Sequence, residues 1–192
     1  MKHLKLTTSQ IAFLALATAL NLVGGTIALA LKLPFYLDTF GTLLAAFTMG
    51  PLYGMVPGLL SGIISGATTD VYAFFYLPVQ MITGFFAGLL FHSEARRKQK
   101  ALLPLYALCV TIPGTIVSSC ITAFLLGGIT SSGSSVIVQL LHGLGMDLTL
   151  SVFCVQVITD YIDRVLMIAA AQAAMVILPT VILSRIQRQH KT

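Results

Sequence analysis

The densest group of residues able to do chemistry is Asp160, Asp163 and Arg164. Spacings of three and four place all three on one face of a helix. That arrangement serves either of two ends. One is an Asp–Arg pair that caps the last helix at its N-terminus, where carboxylates suit the helix dipole. The other is a polar wall of a ligand pocket, with Asp163 or Arg164 free to bond a solute. A charge inside a membrane-spanning helix costs ~2.5–3.5 kcal/mol by insertion scales, so it faces a cavity or a partner. Other polar side chains gather near the same ends of the apolar segments. Asp38 follows Phe35 and Tyr36, and Asp70 sits between Thr68-Thr69 and the pair Tyr72 and Tyr76. Gln80 lies one turn into the next segment, while Gln139 and His142 follow a Ser-rich run. The candidate substrate-binding residues are therefore Tyr36, Asp38, Asp70, Tyr76, Gln80, Gln139, Asp160, Asp163 and Arg164. Carboxylates, amides and aromatics around one mouth suit a polar, ring-containing solute. Each tyrosine alone also fits an interfacial belt, in a chain that has no Trp.

Other chemistries find no support in the residues. The chain has no GxxxxGK[ST], HExxH or GxSxG pattern, so no catalytic residue is assigned and no enzyme is expected. His142 has no second His or Cys at ligand spacing, so no metal site and no cofactor are expected. Cys109, Cys120 and Cys154 stand singly inside apolar runs and read as small, buried packing residues.

The elements that must position these residues follow from composition. Of 192 residues 57% are hydrophobic and 9% charged, with a mean hydropathy of +0.94. Soluble domains carry about 25% charged residues, whereas this surface suits lipid. A helix needs ~20 apolar residues to cross the hydrocarbon core, so the length allows six crossings in one domain, residues 1–192. The segments run Ile11–Leu31, Leu37–Met49, Pro51–Ala67, Tyr72–Phe91, Leu102–Leu126 and Tyr161–Ser184. The second is short, and is expected to be tilted or shielded by protein. Gly127–Ser135 is a loop by its Gly, Ser and Thr content. Val136–Val157 reads as an amphipathic or re-entrant segment, or as an extension of the last helix. The first segment outlasts a signal peptide's apolar region.

Charge orients the bundle. Lys2, Lys5, Arg96, Arg97, Lys98, Lys100, Arg185, Arg188 and Lys191 share one side if six helices cross, which makes that side, and both termini, cytoplasmic. Asp38, Asp70, Asp147, Asp160 and Asp163 fall at the other side, as do Tyr36, Tyr72, Tyr76 and Tyr161. The net charge of +5 is thus a matter of topology, not of nucleic acid, and no nucleic-acid partner is expected. The acidic bias of the outer side favours a neutral, hydroxyl-rich or cationic solute over an anion.

Small residues mark close helix contacts. Gly54, Gly58, Gly62 and Gly66 recur every fourth residue, and Gly84 and Gly88 repeat the spacing. Pro57 within that stripe is placed to bend its helix. Ala15 and Ala19, with Ala12 on the same side, form an AxxxA face that suits internal packing or a separate membrane partner.

These blocks in order resemble the substrate-binding S component of energy-coupling factor (ECF) transporters. They are Ala15-Leu-Ala-Thr-Ala19, Leu37-Asp-Thr-Phe-Gly-Thr42, Gly50-Pro-Leu-Tyr-Gly54, Pro78-Val-Gln80 with Gly84 and Gly88, and Thr159-Asp-Tyr-Ile-Asp-Arg164. The resemblance covers nearly the whole chain and is greatest to a subgroup whose substrates are mostly unassigned. It implies an all-α, multi-pass bundle of six transmembrane helices in the bacterial cytoplasmic membrane. Ala12, Ala15 and Ala19 would face the ECF transmembrane coupling subunit, which works with two cytosolic ATPase subunits. Phe35–Asp38 would form a lid over a pocket for a vitamin-like or nucleobase- or nucleoside-like solute. The other reading of the residues is a ligand-sensing membrane module that signals to a partner protein.

Overall fold

The computed structural model describes residues 6–177, 183, 184 and 186. Among them every regular element is helical: α1 (Thr8–Ala30), α2 (Phe40–Met49), α3 (Pro51–Thr68), α4 (Leu77–Phe91), α5 (Glu94–Arg97), α6 (Leu103–Cys120), α7 (Ser134–Gly143) and α8 (Leu148–Ile177). A π-helical turn, Ile121–Leu125, prolongs α6. Lys2, Lys5, Arg185, Arg188 and Lys191, used above to orient the bundle, lie outside the described residues.

Local sequence explains where the helices begin. Thr7 caps α1 in a reciprocal box: its Oγ1 accepts from the Gln10 backbone N–H at 3.3 Å, and Gln10 Oε1 accepts from the Thr7 N–H at 3.0 Å. Gln10 Nε2 also donates to the Ile186 carbonyl at 2.9 Å, so the start of α1 and residue 186 meet at one end of the bundle. Pro at the first turn opens α3, α4 and α6. Between α2 and α3 the chain turns at Gly50, whose φ of 86° lies in the left-handed region.

The bundle is built round α2. At 10 residues it is about 15 Å long, half a hydrocarbon core. Every residue from Gly41 to Met49 is buried, so protein does shield the short segment. Its Phe47 meets Phe91 of α4 with ring centroids 5.0 Å apart, in a core with Leu43, Val110 and Ile168. α3 and α4 approach closely where Gly54 faces Gly84: a Cβ on Gly84 would overlap the Gly54 carbonyl. Pro57 stays inside α3 without ending it.

The outward surface is apolar. Leu16 of α1, Ile116 of α6 and Leu166 of α8 are all exposed, among many like them. Thr8–Ala30 and Leu103–Leu125 are each 23 residues and apolar enough to cross a membrane. Exposed apolar area on this scale marks a face for lipid or protein rather than water.

Three expectations are corrected. The three cysteines are exposed, on outward faces of α6 and α8; an apolar residue of a lipid-facing helix does not need the protein interior. The last long helix begins at Leu148 rather than Tyr161, because nothing between Asp147 and Tyr161 breaks it. Asp147, whose Oδ1 accepts from the Leu150 N–H at 3.1 Å, supplies a cap at its start. Tyr161 joins the aromatic core with Phe91 and Tyr106 instead of lying at the outer boundary, and its hydroxyl donates to the Pro104 carbonyl at 3.3 Å.

Candidate functional site

At the end of the bundle opposite Gln10 and Ile186, three connections and five helices close over a cavity. It leaves about 90 Å³ of room for the centre of a water-sized sphere. Tyr36, Asp38, Asp70, Tyr76, Gln80, Asp160 and Arg164 line it, so seven of the nine candidate residues come together. Asp163 lies just behind the wall, and Gln139 stands apart, exposed on α7, with its amide 3.5 Å from the Gly128 carbonyl.

The α8 wall does hold an Asp–Arg pair, but within the helix rather than as a cap at its N-terminus. Asp160 and Arg164 are not partners. Arg164 Nη1 donates to Asp163 Oδ2 at 2.7 Å and to Thr39 Oγ1 at 2.9 Å. Asp160 instead accepts from Thr115 Oγ1 at 2.8 Å and Ser118 Oγ at 3.2 Å. The physical reason is direction: near the middle of α8 the group has no free helix end to cap, and α6 offers hydroxyls opposite Asp160. Asp163 then does a second job. Its Oδ1 accepts from the Leu37 N–H at 3.2 Å. Leu37 has a φ of 52°, the left-handed region that side chains with a Cβ avoid at a cost of about 1–2 kcal/mol. A buried carboxylate on α8 thus holds the backbone beside Asp38 in an unusual shape.

The connection from Leu31 to Thr39 carries Tyr36 and Asp38 over the cavity. Gln80 Nε2 of α4 donates to Asp38 Oδ2. Burial pushes the Asp38 carboxyl up to about 6, against the pull of Arg164. Burial likewise pushes the Tyr76 phenol up to about 12 and the Tyr36 phenol upward, so both stay neutral. The two rings stand 6.3 Å apart at 43°, and Tyr76 Oη shares a 2.6 Å hydrogen bond with Thr122 Oγ1.

The loop before α7 is fastened to the other two connections. The Gly133 N–H and Ser132 Oγ donate to the Leu33 carbonyl at 3.1 and 3.3 Å, and Ser131 Oγ donates to Asp70 Oδ2.

Several lining residues escaped the sequence reading. Gln156 donates to Thr122 Oγ1 at 2.7 Å, and Ser118 bonds Asp160. Asn21 accepts from the Gly41 and Thr42 N–H groups at 2.7 and 3.3 Å while donating to Thr42 Oγ1 at 2.8 Å. Asn21 and Gln156 stand singly in apolar runs, whereas Ser118 shares a buried polar face with Thr111, Thr115 and Thr122, spaced four, three and four. Gln156 falls one turn before Asp160 on the same face, the one signal that pointed to it.

Of the expected partner face, Ala12, Ala15 and Ala19 are exposed on α1. A small residue of α1 that does pack inside is Ala17, against Gly41.

The arrangement can hold a solute by hydrogen bonds and ring contacts within an apolar shell. Among the described residues no group of three His, Cys, Asp or Glu side chains converges as a metal site. No curated protein and no solved structure matches the chain. A family model described as ECF-type riboflavin transporter, S component, matches residues 5–171. With that match over most of its length, an all-helical bundle and an apolar outer surface, the chain belongs to the ECF-type riboflavin transporter S component family and is a membrane-embedded, substrate-binding transporter subunit.

Proposed function

We propose that this subunit captures a vitamin-like, ring-containing solute, with riboflavin the first candidate, and delivers it through an ECF module. The observation that carries the reading is the cavity itself: Tyr36 and Tyr76 stand beside Gln80, Gln156, Asp160 and Arg164 within an apolar shell. A flavin ring has an apolar edge, an edge of carbonyls and a ring N–H, and a chain of hydroxyls. Amides, carboxylates and serine hydroxyls match the polar parts, and the tyrosines and aliphatic residues match the ring. The family description, which names riboflavin, supports the same substrate.

Six crossings, with both termini in the cytoplasm, complete the proposal. The cavity then opens outward through the connection from Leu31 to Thr39. The exposed Ala12, Ala15 and Ala19 face the ECF coupling subunit, whose two ATPases supply the energy that this chain has no motif to supply.

The test is to titrate the purified chain with riboflavin and a panel of nucleosides, following quenching of flavin fluorescence. Saturable one-to-one binding of riboflavin alone supports the reading; tight binding of a nucleoside in its place moves the substrate class. Replacing Ala15 and Ala19 by Leu is expected to abolish uptake in cells that carry an ECF module while binding persists. Loss of binding would show instead that these residues hold the fold.

A further inference from the structure

We infer that Thr122 is a positioning residue, an inference that rests on the substrate-binding reading above. Its hydroxyl, buried behind the cavity wall, holds the Tyr76 ring as a fixed platform for the flat ring of the solute. Tyr76, at the N-cap position of α4, and Gln156, on α8, both line the cavity. Thr122 belongs to the π-helical turn that prolongs α6 and is 2% exposed. Its Oγ1 stands 2.6 Å from Tyr76 Oη and accepts from Gln156 Nε2 at 2.7 Å. One oxygen on a third element thus ties together two lining side chains from the other two.

The Tyr76 residue is held at both ends. Its backbone belongs to the start of a helix, where the Gln80 N–H donates to the Tyr76 carbonyl at 3.1 Å. Its phenol tip is held by Thr122, with either oxygen as the donor. A threonine hydroxyl has one hydrogen and two lone pairs, so it serves Gln156 and Tyr76 at once. The Tyr36 ring is inclined to the Tyr76 ring at 43°, so a flat solute lying on one cannot lie flat on the other. Tyr36 rides on the connection from Leu31 to Thr39, whereas Tyr76 is anchored to α4 and to the end of α6. The face of the solute therefore falls to Tyr76, and its edge to Tyr36.

The same oxygen joins the ring to the polar wall. Gln156 Oε1 accepts from Ser118 Oγ at 3.4 Å, and Ser118 Oγ donates to Asp160 Oδ2 at 3.2 Å. Without the Thr122 hydroxyl, the phenol and the Gln156 amide both lose a partner. Each side chain then regains rotamers that binding must remove again. A platform fixed in advance avoids that loss. Thr122 owes its place to the π turn, in which the Leu126 N–H bonds the Ile121 carbonyl, five residues back, at 3.2 Å. Such turns gather at functional sites.

The experiment titrates riboflavin into the purified full chain and into Thr122→Val, Thr122→Ser and Tyr76→Phe, following flavin emission and its lifetime. Valine keeps the volume and removes the oxygen; serine keeps the oxygen and removes the methyl. Thr122→Val is expected to weaken binding about tenfold and Thr122→Ser less than about twofold, since a lost hydrogen bond and a freed side chain each cost affinity. Adding Tyr76→Phe to Thr122→Val should cost little more, because both remove the same bond. Bound flavin is expected to show a single lifetime in the parent and a second, longer one in Thr122→Val, where the ring is free to leave the flavin face. A valine variant that binds as the parent does, or better than the serine variant, overturns the inference while the flavin reading stands. Losses that multiply in the double variant also overturn it, because Thr122 would then not act through Tyr76. If Thr122→Val does not fold, Tyr76→Phe decides: a single lifetime, as in the parent, overturns the inference. If the parent shows a cooperative thermal transition yet binds no riboflavin, the flavin reading fails and takes this inference with it.

Discussion

The two halves of the bundle are held together by different physics. Around α2 and the α3–α4 contact, stability comes from backbone lying on backbone and from rings and aliphatic side chains in an apolar core. Around the cavity the contacts are hydrogen bonds: Asp163 to Leu37, Arg164 to Thr39, Ser131 to Asp70, Gln80 to Asp38. Close packing has no intermediate states, since a side chain fits or clashes. Hydrogen bonds can be exchanged for others, with water or with a ligand, at a net change of about 1 kcal/mol each. A binding subunit needs both kinds of construction: one half that keeps its shape and one that can open and close.

The largest expected effect breaks the packed half. Gly84→Leu puts a side chain where the Gly54 backbone already lies, and a backbone cannot move aside as a flexible side-chain tip can. The expected result is loss of folded protein, or at least about 3 kcal/mol of destabilisation. Gly114→Ala is the control, because its Cβ would meet only the side chains of Val79 and Thr83 at 3.5 and 3.6 Å. Thermal unfolding of both variants checks this; equal losses would show that α3–α4 contact is not special.

The second effect belongs to the cavity half. Arg164 and Asp163 are both buried and paired at 2.7 Å. Removing one partner leaves a buried charge, so Arg164→Met is expected to cost about 3–5 kcal/mol. Adding Asp163→Asn should return part of that loss without restoring ligand affinity. Asp163→Asn alone should weaken binding far more than Asp147→Asn, whose carboxylate is exposed at the start of α8. Equal effects of the two aspartates on binding would move the site away from α8.

The packed half was the more legible of the two in the sequence. Gly54, Gly58 and Gly62 announce their face by spacing alone, and the four-residue repeat became the buried side of α3. Shortness of the second apolar segment was enough to foresee its burial. The cavity half was read only in part. Asp38, Asp70 and Asp160 stand out because a carboxylate is rare in such a chain. Asn21 does not, since one polar residue in an apolar helix carries no periodic signal, whereas Ser118 and Gln156 stand at helical spacing from Thr115 and Asp160. The pairing of Asp163 with Arg164, rather than Asp160 with Arg164, depends on what α6 and the first connection offer opposite each side chain. Helical spacing states which residues share a face and is silent on what that face meets.

A smaller effect tests burial in the first connection. The folded Asp38 carboxyl is raised from 3.8 to about 6, chiefly by burial. Between those values the folded chain holds a proton that the unfolded chain has lost, so this contribution to stability falls as pH rises through the window. Asp38→Asn keeps an acceptor for Gln80 and removes the charge. The variant is therefore expected to melt higher than the parent at neutral pH, with the difference shrinking as pH drops below about 6. A difference that stays constant from pH 4 to about 8 would mean that the Asp38 charge is not the cause.

The smallest effect is the most specific to a cavity that opens. Ser131 Oγ bonds Asp70 across two connections, and Ser132 Oγ reaches the Leu33 carbonyl on the third. Ser131→Ala removes one net hydrogen bond, about 1 kcal/mol, while the cavity keeps its shape. If that bond helps to keep the three connections closed over a bound solute, the loss appears as roughly fivefold faster ligand release, because related complexes differ mainly in how fast they come apart. The melting temperature should fall by only the few degrees that about 1 kcal/mol accounts for, since the packed half is untouched. Stopped-flow release of riboflavin from the parent and from Ser131→Ala separates the two halves cleanly. Faster release with no larger loss of stability makes the cavity half a closure resting on the packed half; a larger loss of stability at unchanged release would make the loop before α7 part of the frame.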